Sequence, residues 1–366
     1  MIRQITLLGG QPLPVFWGIK EKSPNVVHIL YTKETREAIS PIQKQFNGIK
    51  FNPHQIDPYD FKGIKELVEN IVFENEKDNF QLNLTSGTKV MALACQSVFK
   101  SLELDVFYID QKNRIFNLNE EEFTPLNSTL KIKTSINLSG HQDFTSNKLA
   151  DYSKEEKELA HKVLQLTTNN SGIKALFKNV RNTDIKVDTC KNFNKYGVVW
   201  KNDKLKINLS NHTITAHSKI AFKIVFGGLW WEILIAEVTK KWSKCKEQLM
   251  SVSIQTKKNQ NLTKNEIDIV LNTGQNMILI ECKSGNVTQA DINKIRTVKR
   301  LYGGISSKSI LICRYTPRKD ILEKCNDLGI DVFSYQTNSK KGKLISLKKL
   351  DDINKKLDQL INKLNI

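Results

Sequence analysis

The sequence predicts an α/β protein of two units: a parallel, doubly wound sheet over residues 1–140 and an α-β-β-β-α-β unit over residues 216–366, joined by a connecting segment over 141–215. Three observations predict it. In the first unit, short β-branched runs alternate with amphipathic helices, as βαβ crossovers require. In the second, a hairpin follows a long apolar helix and precedes further helix–strand alternation. The third is charge: of a net +18, residues 1–145 carry 16 Lys/Arg against 17 Asp/Glu, and the remainder 40 against 21. A chain of 366 residues also exceeds one ordinary domain.

Each element has a local reason. Ile5 to Leu8, Val26 to Tyr31, Ile49 to Ile56, Phe80 to Leu84 and Leu104 to Ile109 read as strands. Ile64, Leu67, Val68, Ile71 and Val72 recur at helical spacing, and Thr35 to Gln45 and Thr88 to Leu102 read as two further helices. Residues 113–140 suggest an added hairpin and then a linker, and 154–176 a polar helical stretch. Next come a long helix over 221–242 and a strand near 251–257. A hairpin over 266–273 and 277–283 follows, turned at Asn272-Thr273-Gly274. Helices over 289–301 and 317–327 alternate with strands over 308–313 and 330–335. Leu350, Ile353, Leu357, Leu360, Ile361 and Leu364 then give a closing amphipathic helix.

Several classes are excluded. The six cysteines contain no pair at the short spacings of a zinc site or a disulfide framework, which points to a reducing, cytoplasmic setting. The six histidines form no ligand pair on a helix face. No signal peptide begins the sequence, and the most apolar window, Ile224 to Val238, is interrupted by Glu232 and Glu237, so no membrane span is expected. The segregated positive charge points to a polyanion partner for the C-terminal part.

The chemistry of that part converges on one hairpin. Glu281 and Lys283 alternate onto one face of their strand, and the turn brings Asp268 opposite them. Burying two carboxylates and an ammonium is costly unless a hard divalent cation takes oxygens from Asp268, Glu281 and a backbone carbonyl, here that of Cys282. Lys283 can then orient or deprotonate the attacking water and offset charge on a pentavalent phosphate. The spacing D-(x12)-E-x-K resembles the PD-(D/E)XK nucleases, in which that trio binds Mg2+ or Mn2+ and cleaves phosphodiesters. The resemblance also implies a catalytic role for Glu232, carried by Gly227-Gly228-Leu229-Trp230-Trp231-Glu232, and makes it a further candidate metal ligand. Glu266-Ile267-Asp268 replaces the motif's leading Pro-Asp and leaves the role of Glu266 open.

In the first unit, the carboxyl ends of the strands carry Gly9-Gly10-Gln11-Pro12, Thr32, Thr85-Ser86-Gly87-Thr88-Lys89 and Asp110-Gln111. Ligands bind at this edge in parallel sheets, and a helix opening at Thr88-Lys89 favours an anion. No Walker or dinucleotide fingerprint is present, so a nucleotide ligand stands but ATP hydrolysis and NAD do not. Asn83 to Ala92, together with the Gly-Gly first loop, resembles the CRISPR-associated Rossmann fold (CARF) domain. A CARF domain followed by a PD-(D/E)XK domain is similar to the Can/Card ancillary nucleases of type III CRISPR systems. The resemblance implies a homodimer that binds a cyclic oligoadenylate, usually cyclic tetra-adenylate, across its two-fold axis and then cleaves DNA or RNA with a metal. By position, Gly10, Gln11, Thr32, Thr85, Gly87, Thr88 and Lys89 would line the ligand site. Two other functions fit the residues. One is a stand-alone restriction or repair DNA nuclease, and the other a ligand-gated nucleic-acid-binding regulator without catalysis.

Overall fold

The structure, a computed structural model, describes residues 1–141, 143–169, 173–181, 189–193, 196–209, 213–254, 265–303, 307–335 and 344–364. The first unit runs β1 (Ile2–Leu8), α1 (Leu13–Lys22), β2 (Val26–Tyr31), a 3-10 turn (Lys33–Ala38) into α2 (Ile39–Gln43), β3 (Lys50–Gln55), α3 (Phe61–Phe73), β4 (Asn79–Asn83), α4 (Lys89–Ser101), β5 (Asp105–Ile109) and the hairpin β6 (Arg114–Asn117) and β7 (Glu122–Pro125). The sheet order is β3-β2-β1-β4-β5-β6-β7, with the first five strands parallel and the hairpin antiparallel at one edge. One face buries Ile64, Val68, Ala94 and Val98 of α3 and α4, and the other Val15, Phe16, Trp17 and Ile19 of α1. This is the doubly wound sheet the alternation predicts. Helix α1 lies outside the sequence reading because its buried residues are consecutive rather than spaced along one face.

The connecting segment is more than a linker. After α5 (Ile132–Leu138), which stands where a linker was expected to close the first unit, it holds β8 (Phe144–Asn147), α6 (Lys154–Asn169), α7 (Ile173–Arg181) and an antiparallel sheet of β9 (Thr189–Phe193), β10 (Tyr196–Lys201), β11 (Lys204–Asn208) and β12 (Thr213–His217). Leu205 and Ile207 of β11 alternate with Lys204 and Lys206, which turn outward.

The second unit continues with α8 (Ala221–Phe226), α9 (Leu229–Lys240), β13 (Glu247–Ile254), β14 (Asn265–Asn272), β15 (Met277–Lys283), α10 (Gln289–Val298) with a π-helical turn (Lys299–Gly303), β16 (Lys308–Cys313), α11 (Lys319–Asp327), β17 (Asp331–Tyr335), β18 (Leu344–Leu347) and α12 (Asp352–Leu364). Its sheet order is β18-β17-β16-β15-β14-β13-β8, and the predicted α-β-β-β-α-β core is present in order. The single helix expected over 221–242 is two helices, because Gly228 adopts φ 89 and breaks the run. The strand expected near 251–257 starts earlier, at Glu247, and its last three positions lie outside the described residues. Among the described residues no helix is long and apolar enough to cross a membrane.

Polar and apolar contacts join the two units. Leu130 N–H donates to Gly274 O at 2.6 Å, Ile132 N–H to Glu247 Oε2 at 2.7 Å, and Asn113 Nδ2 to Asn276 Oδ1 at 3.0 Å. Ile132 and Ile136 of α5 pack with Leu249, Val270, Leu279 and Tyr302 in one buried cluster.

Candidate functional site

β14 and β15 pair with Ile269 opposite Ile280, and continuing that register sets Asp268 opposite Glu281. The ladder ends there, so the Cys282 N–H is free to donate to Asp268 Oδ2, at 2.7 Å. In an extended strand a residue's N–H and C=O leave on the same side, so the Cys282 carbonyl also faces β14. Asp268 and Glu281 are only 8% and 5% exposed, and buried carboxylates need compensating cations. Two lysines supply them. Lys283 Nζ lies 2.8 Å from Glu281 Oε1 and 2.9 Å from Asp291 Oδ1. Lys294 Nζ lies 3.0 Å from both Glu281 oxygens and 3.9 Å from Asp268 Oδ1.

The electrostatics follow from this crowding. Burial, reinforced by repulsion from Glu281, pushes the Asp268 carboxyl up to about 7. Burial by itself would lower the Lys283 ammonium, but Glu281 and Asp291 together hold it above its ordinary value. Asp291 is kept below the usual carboxylate range, against the effect of partial burial, by hydrogen bonds from Thr288 and Lys283. Glu232 sits half-buried in the first turn of α9. Burial first, then the charges of Asp268 and Glu266, raise its carboxyl well above the usual range. Gly228 allows this approach, since a Cβ there would lie 3.0 Å from Ser284 Oγ at the end of β15.

The hairpin therefore gathers Asp268, Glu281, Lys283 and the Cys282 backbone, with Glu232 within electrostatic range and Glu266 exposed beside it. The donor set of buried carboxylates and a strand carbonyl suits a hard divalent cation. Among the described residues, however, no three acidic, histidine or cysteine side chains are close enough together to hold a metal as they stand. Sequence reasoning missed Asp291 and Lys294. They stand three residues apart on one face of α10, behind the Thr288–Asp291 capping box. Next to the site, Ser251 interrupts the β13–β14 pairing between Met250–Ile269 and Val252–Ile267, with φ 46.

At the first sheet's carboxyl edge, the loops after β1 and β4 touch. Gly9 N–H donates to Ser86 Oγ at 3.0 Å, and a Cβ on Gly9 would lie 2.8 Å from Gly87 N. Gly87 has φ 82, which the turn requires. The hydroxyls named from the sequence serve the fold locally. Thr32 donates to Glu34, and Thr85 accepts from Ile109 N–H at 2.8 Å. Thr88 caps α4 by accepting from Met91 N–H and donates to Pro58 O at 2.9 Å. Lys89 is exposed. Gly10 and Gln11 line a cavity of about 330 Å3, together with Glu34, Thr35, Ser135 and Gly140, and Arg300 to Gly303 of the second unit close it. Thr32, Thr85, Gly87, Thr88 and Lys89 lie outside that lining.

Comparison with known proteins finds a family match in each of two parts of the chain. Residues 4–141 match the family model of the Card1 CARF domain, and residues 219–349 that of the Card1-like endonuclease domain. The chain belongs to the Card1 family. Among solved structures, this Card1-family chain is similar to Can2 from Sulfobacillus thermosulfidooxidans in complex with cyclic tetra-adenylate. The identity is 20%, the TM-score 0.74, and 99% of this chain and 100% of that one are covered. It is also similar to protein VC1899 from Vibrio cholerae, at 14% identity and TM-score 0.75, covering 99% and 98%. A type III CRISPR defence DNA nuclease activated by cyclic oligoadenylate matches at 14% identity and TM-score 0.61, covering 98% of this chain and 51% of that one. At these identities the likeness concerns the fold. No curated protein sequence matches the chain.

Proposed function

We propose that this chain is a nuclease switched on by a cyclic oligoadenylate, cyclic tetra-adenylate first among them, in type III CRISPR antiviral defence. It would work as a cytoplasmic homodimer on DNA or RNA. The observation that carries this reading is the pairing, in one chain, of a CARF domain with a hairpin that presents Asp268, Glu281 and Lys283 together. The Can2 complex with cyclic tetra-adenylate and the cyclic-oligoadenylate-activated nuclease, both sharing the fold, support the choice of activator.

Within the PD-(D/E)XK reading, Asp268, Glu281 and the Cys282 carbonyl would hold Mg2+ or Mn2+, with Glu232 as a further ligand. The metal would supply a polarised phosphoryl oxygen and a water activated at neutral pH. Lys283 is held protonated by its two acidic partners, so we assign it orientation and charge compensation rather than proton abstraction. Asp291 positions that ammonium. In the ligand site, Gly10 and Gln11 would approach the activator through the cavity edge, and Lys89 would meet its phosphates from the N-terminus of α4. Thr32, Thr85, Gly87 and Thr88 would shape the loops around it. A nucleic-acid substrate would be held by the basic second part of the chain.

The test is cleavage of labelled DNA and RNA in Mg2+ or Mn2+, by wild type and Lys283→Ala, with and without cyclic tetra-adenylate. This reading expects cleavage only by wild type with both metal and nucleotide. Cleavage indifferent to the nucleotide would mark a stand-alone nuclease. Binding without any cleavage would mark a regulator.

A further inference from the structure

The ammonium of Lys294 spans both carboxylates of the hairpin, 3.0 Å from each Glu281 oxygen and 3.9 Å from Asp268 Oδ1. A cation shared by those two groups stands where a metal held by them must stand, and two cations cannot fill one position at this separation without strong repulsion. We infer that Lys294 is the resident counter-ion of the metal site, and that it keeps the site closed to metal until α10 moves. This rests on the metal-dependent reading above and adds its regulation.

The two lysines differ in how they are held. Lys283 is shared between Glu281 and Asp291, and Asp291 is itself fixed by Thr288 N–H at 2.8 Å and Thr288 Oγ1 at 2.7 Å. The polar contacts of Lys294 among the described residues are the two carboxylates alone. Lys283 can therefore stay as metal enters, whereas Lys294 must leave. Its departure leaves no buried charge stranded, because the metal takes over compensation of Glu281 and Asp268.

The helix that carries Lys294 also reaches the ligand edge. α10 passes directly into the π-helical turn Lys299–Gly303, a kind of irregularity frequent at functional sites. Arg300 to Gly303 line the same cavity as Gly9, Gly10 and Gln11. Arg300 lies six positions on from Lys294, roughly 9 Å along a helix axis. Ile292, Ile295 and Val298 are buried beneath the helix, so a push at the cavity is transmitted along it as a unit. An activator seated against Gly10 and Arg300 would thus reach the carboxylates through one element of secondary structure.

The test is Mn2+ binding to the full-length, nucleotide-free protein, followed by electron paramagnetic resonance at alkaline pH, where protons compete least for the carboxylates. Lys294→Met should bind Mn2+ roughly tenfold to a hundredfold tighter than wild type, the range in which groups around a metal's direct ligands move affinity. Lys294→Arg, which keeps the charge, should bind as weakly as wild type. Lys294→Gln provides the same comparison if the Met variant does not fold, as judged by thermal unfolding. Cyclic tetra-adenylate should tighten Mn2+ binding by wild type and leave Lys294→Met unchanged. Equal Mn2+ affinity in wild type and the folded, uncharged variant overturns the inference and leaves the metal reading standing. Absence of Mn2+ binding by either protein overturns both. A nucleotide that binds wild type without moving its Mn2+ affinity overturns the link through α10.

Discussion

Glu281→Gln removes one charge from a residue that is 5% exposed and touches two ammonium groups, at 2.8 Å and 3.0 Å. At an effective dielectric of about 20, each contact represents roughly 5–6 kcal/mol of Coulomb attraction. Most of that offsets the desolvation of the groups involved. Breaking a buried pair from one side costs about 3–5 kcal/mol net. The lower end applies here, for three reasons. Lys283 keeps Asp291 at 2.9 Å, Lys294 keeps Asp268 at 3.9 Å, and Asp268 is relieved of a repelling neighbour. Denaturant unfolding of the metal-free protein should therefore show a loss of about 3 kcal/mol. The effect on rate is larger in consequence: losing a direct metal ligand should cost on the order of a thousandfold, about 4 kcal/mol of barrier. The assay is initial-rate cleavage in Mn2+ with saturating cyclic tetra-adenylate, run on protein that circular dichroism shows to be folded. Wild-type cleavage by folded Glu281→Gln would contradict a ligand role for this carboxylate, and a loss of rate that excess metal fully restores would place the effect in metal affinity and contradict the thousandfold barrier term.

The remaining expectations concern charge and loop geometry. Asp268 has a carboxyl raised to about 7 against an ordinary 3.8, so in the metal-free fold its contribution is favourable at low pH and is lost as pH rises through about 7. Asp268→Asn should accordingly unfold at a higher temperature than wild type in chelator at about pH 8, with the gap shrinking by about pH 5; a gap that grows toward acid would contradict this. In Gly9→Ala the new Cβ would meet Gly87 N and Ser86 Oγ at 2.8 Å, forcing the two loops apart at a cost of about 1–3 kcal/mol. Calorimetry should show weaker cyclic tetra-adenylate binding, and unchanged affinity would remove that edge from the ligand site. Substrate binding by the full chain should fall almost linearly on logarithmic axes as salt rises, with a slope set by the phosphates neutralised. A flat salt series would contradict a substrate held by charge.

What could be read from the sequence was set by local physics, and what could not by packing. The alternation of β1 to β5 with amphipathic helices and the turn at Asn272-Thr273-Gly274 are local, and both are found in the fold. Glu281 and Lys283 follow from strand alternation alone, and they meet at 2.8 Å. The break between α8 and α9 was masked because Ile224 to Val238 is apolar almost throughout, with Glu232 and Glu237 its only charges, and the φ of Gly228 decides it. In β11, Lys204-Leu205-Lys206-Ile207 does alternate, but a short, lysine-rich run of this kind carries little weight without its partner strands. Lys294 and Asp291 could not be placed by spacing, since what brings them to the carboxylates is the packing of α10 on the sheet. Thr85 and Thr88 suggested ligand contacts because a hydroxyl in a βα turn has the same sequence signature whether it faces a phosphate or a neighbouring backbone.

The measurement that bears most directly on the account is a titration of wild type with cyclic tetra-adenylate in Mn2+, recording bound nucleotide and cleavage rate in the same samples. The account predicts negligible cleavage without nucleotide, and a rise that saturates when one nucleotide is bound for every two chains. Full cleavage in its absence, or saturated binding that leaves the rate unchanged, would contradict it.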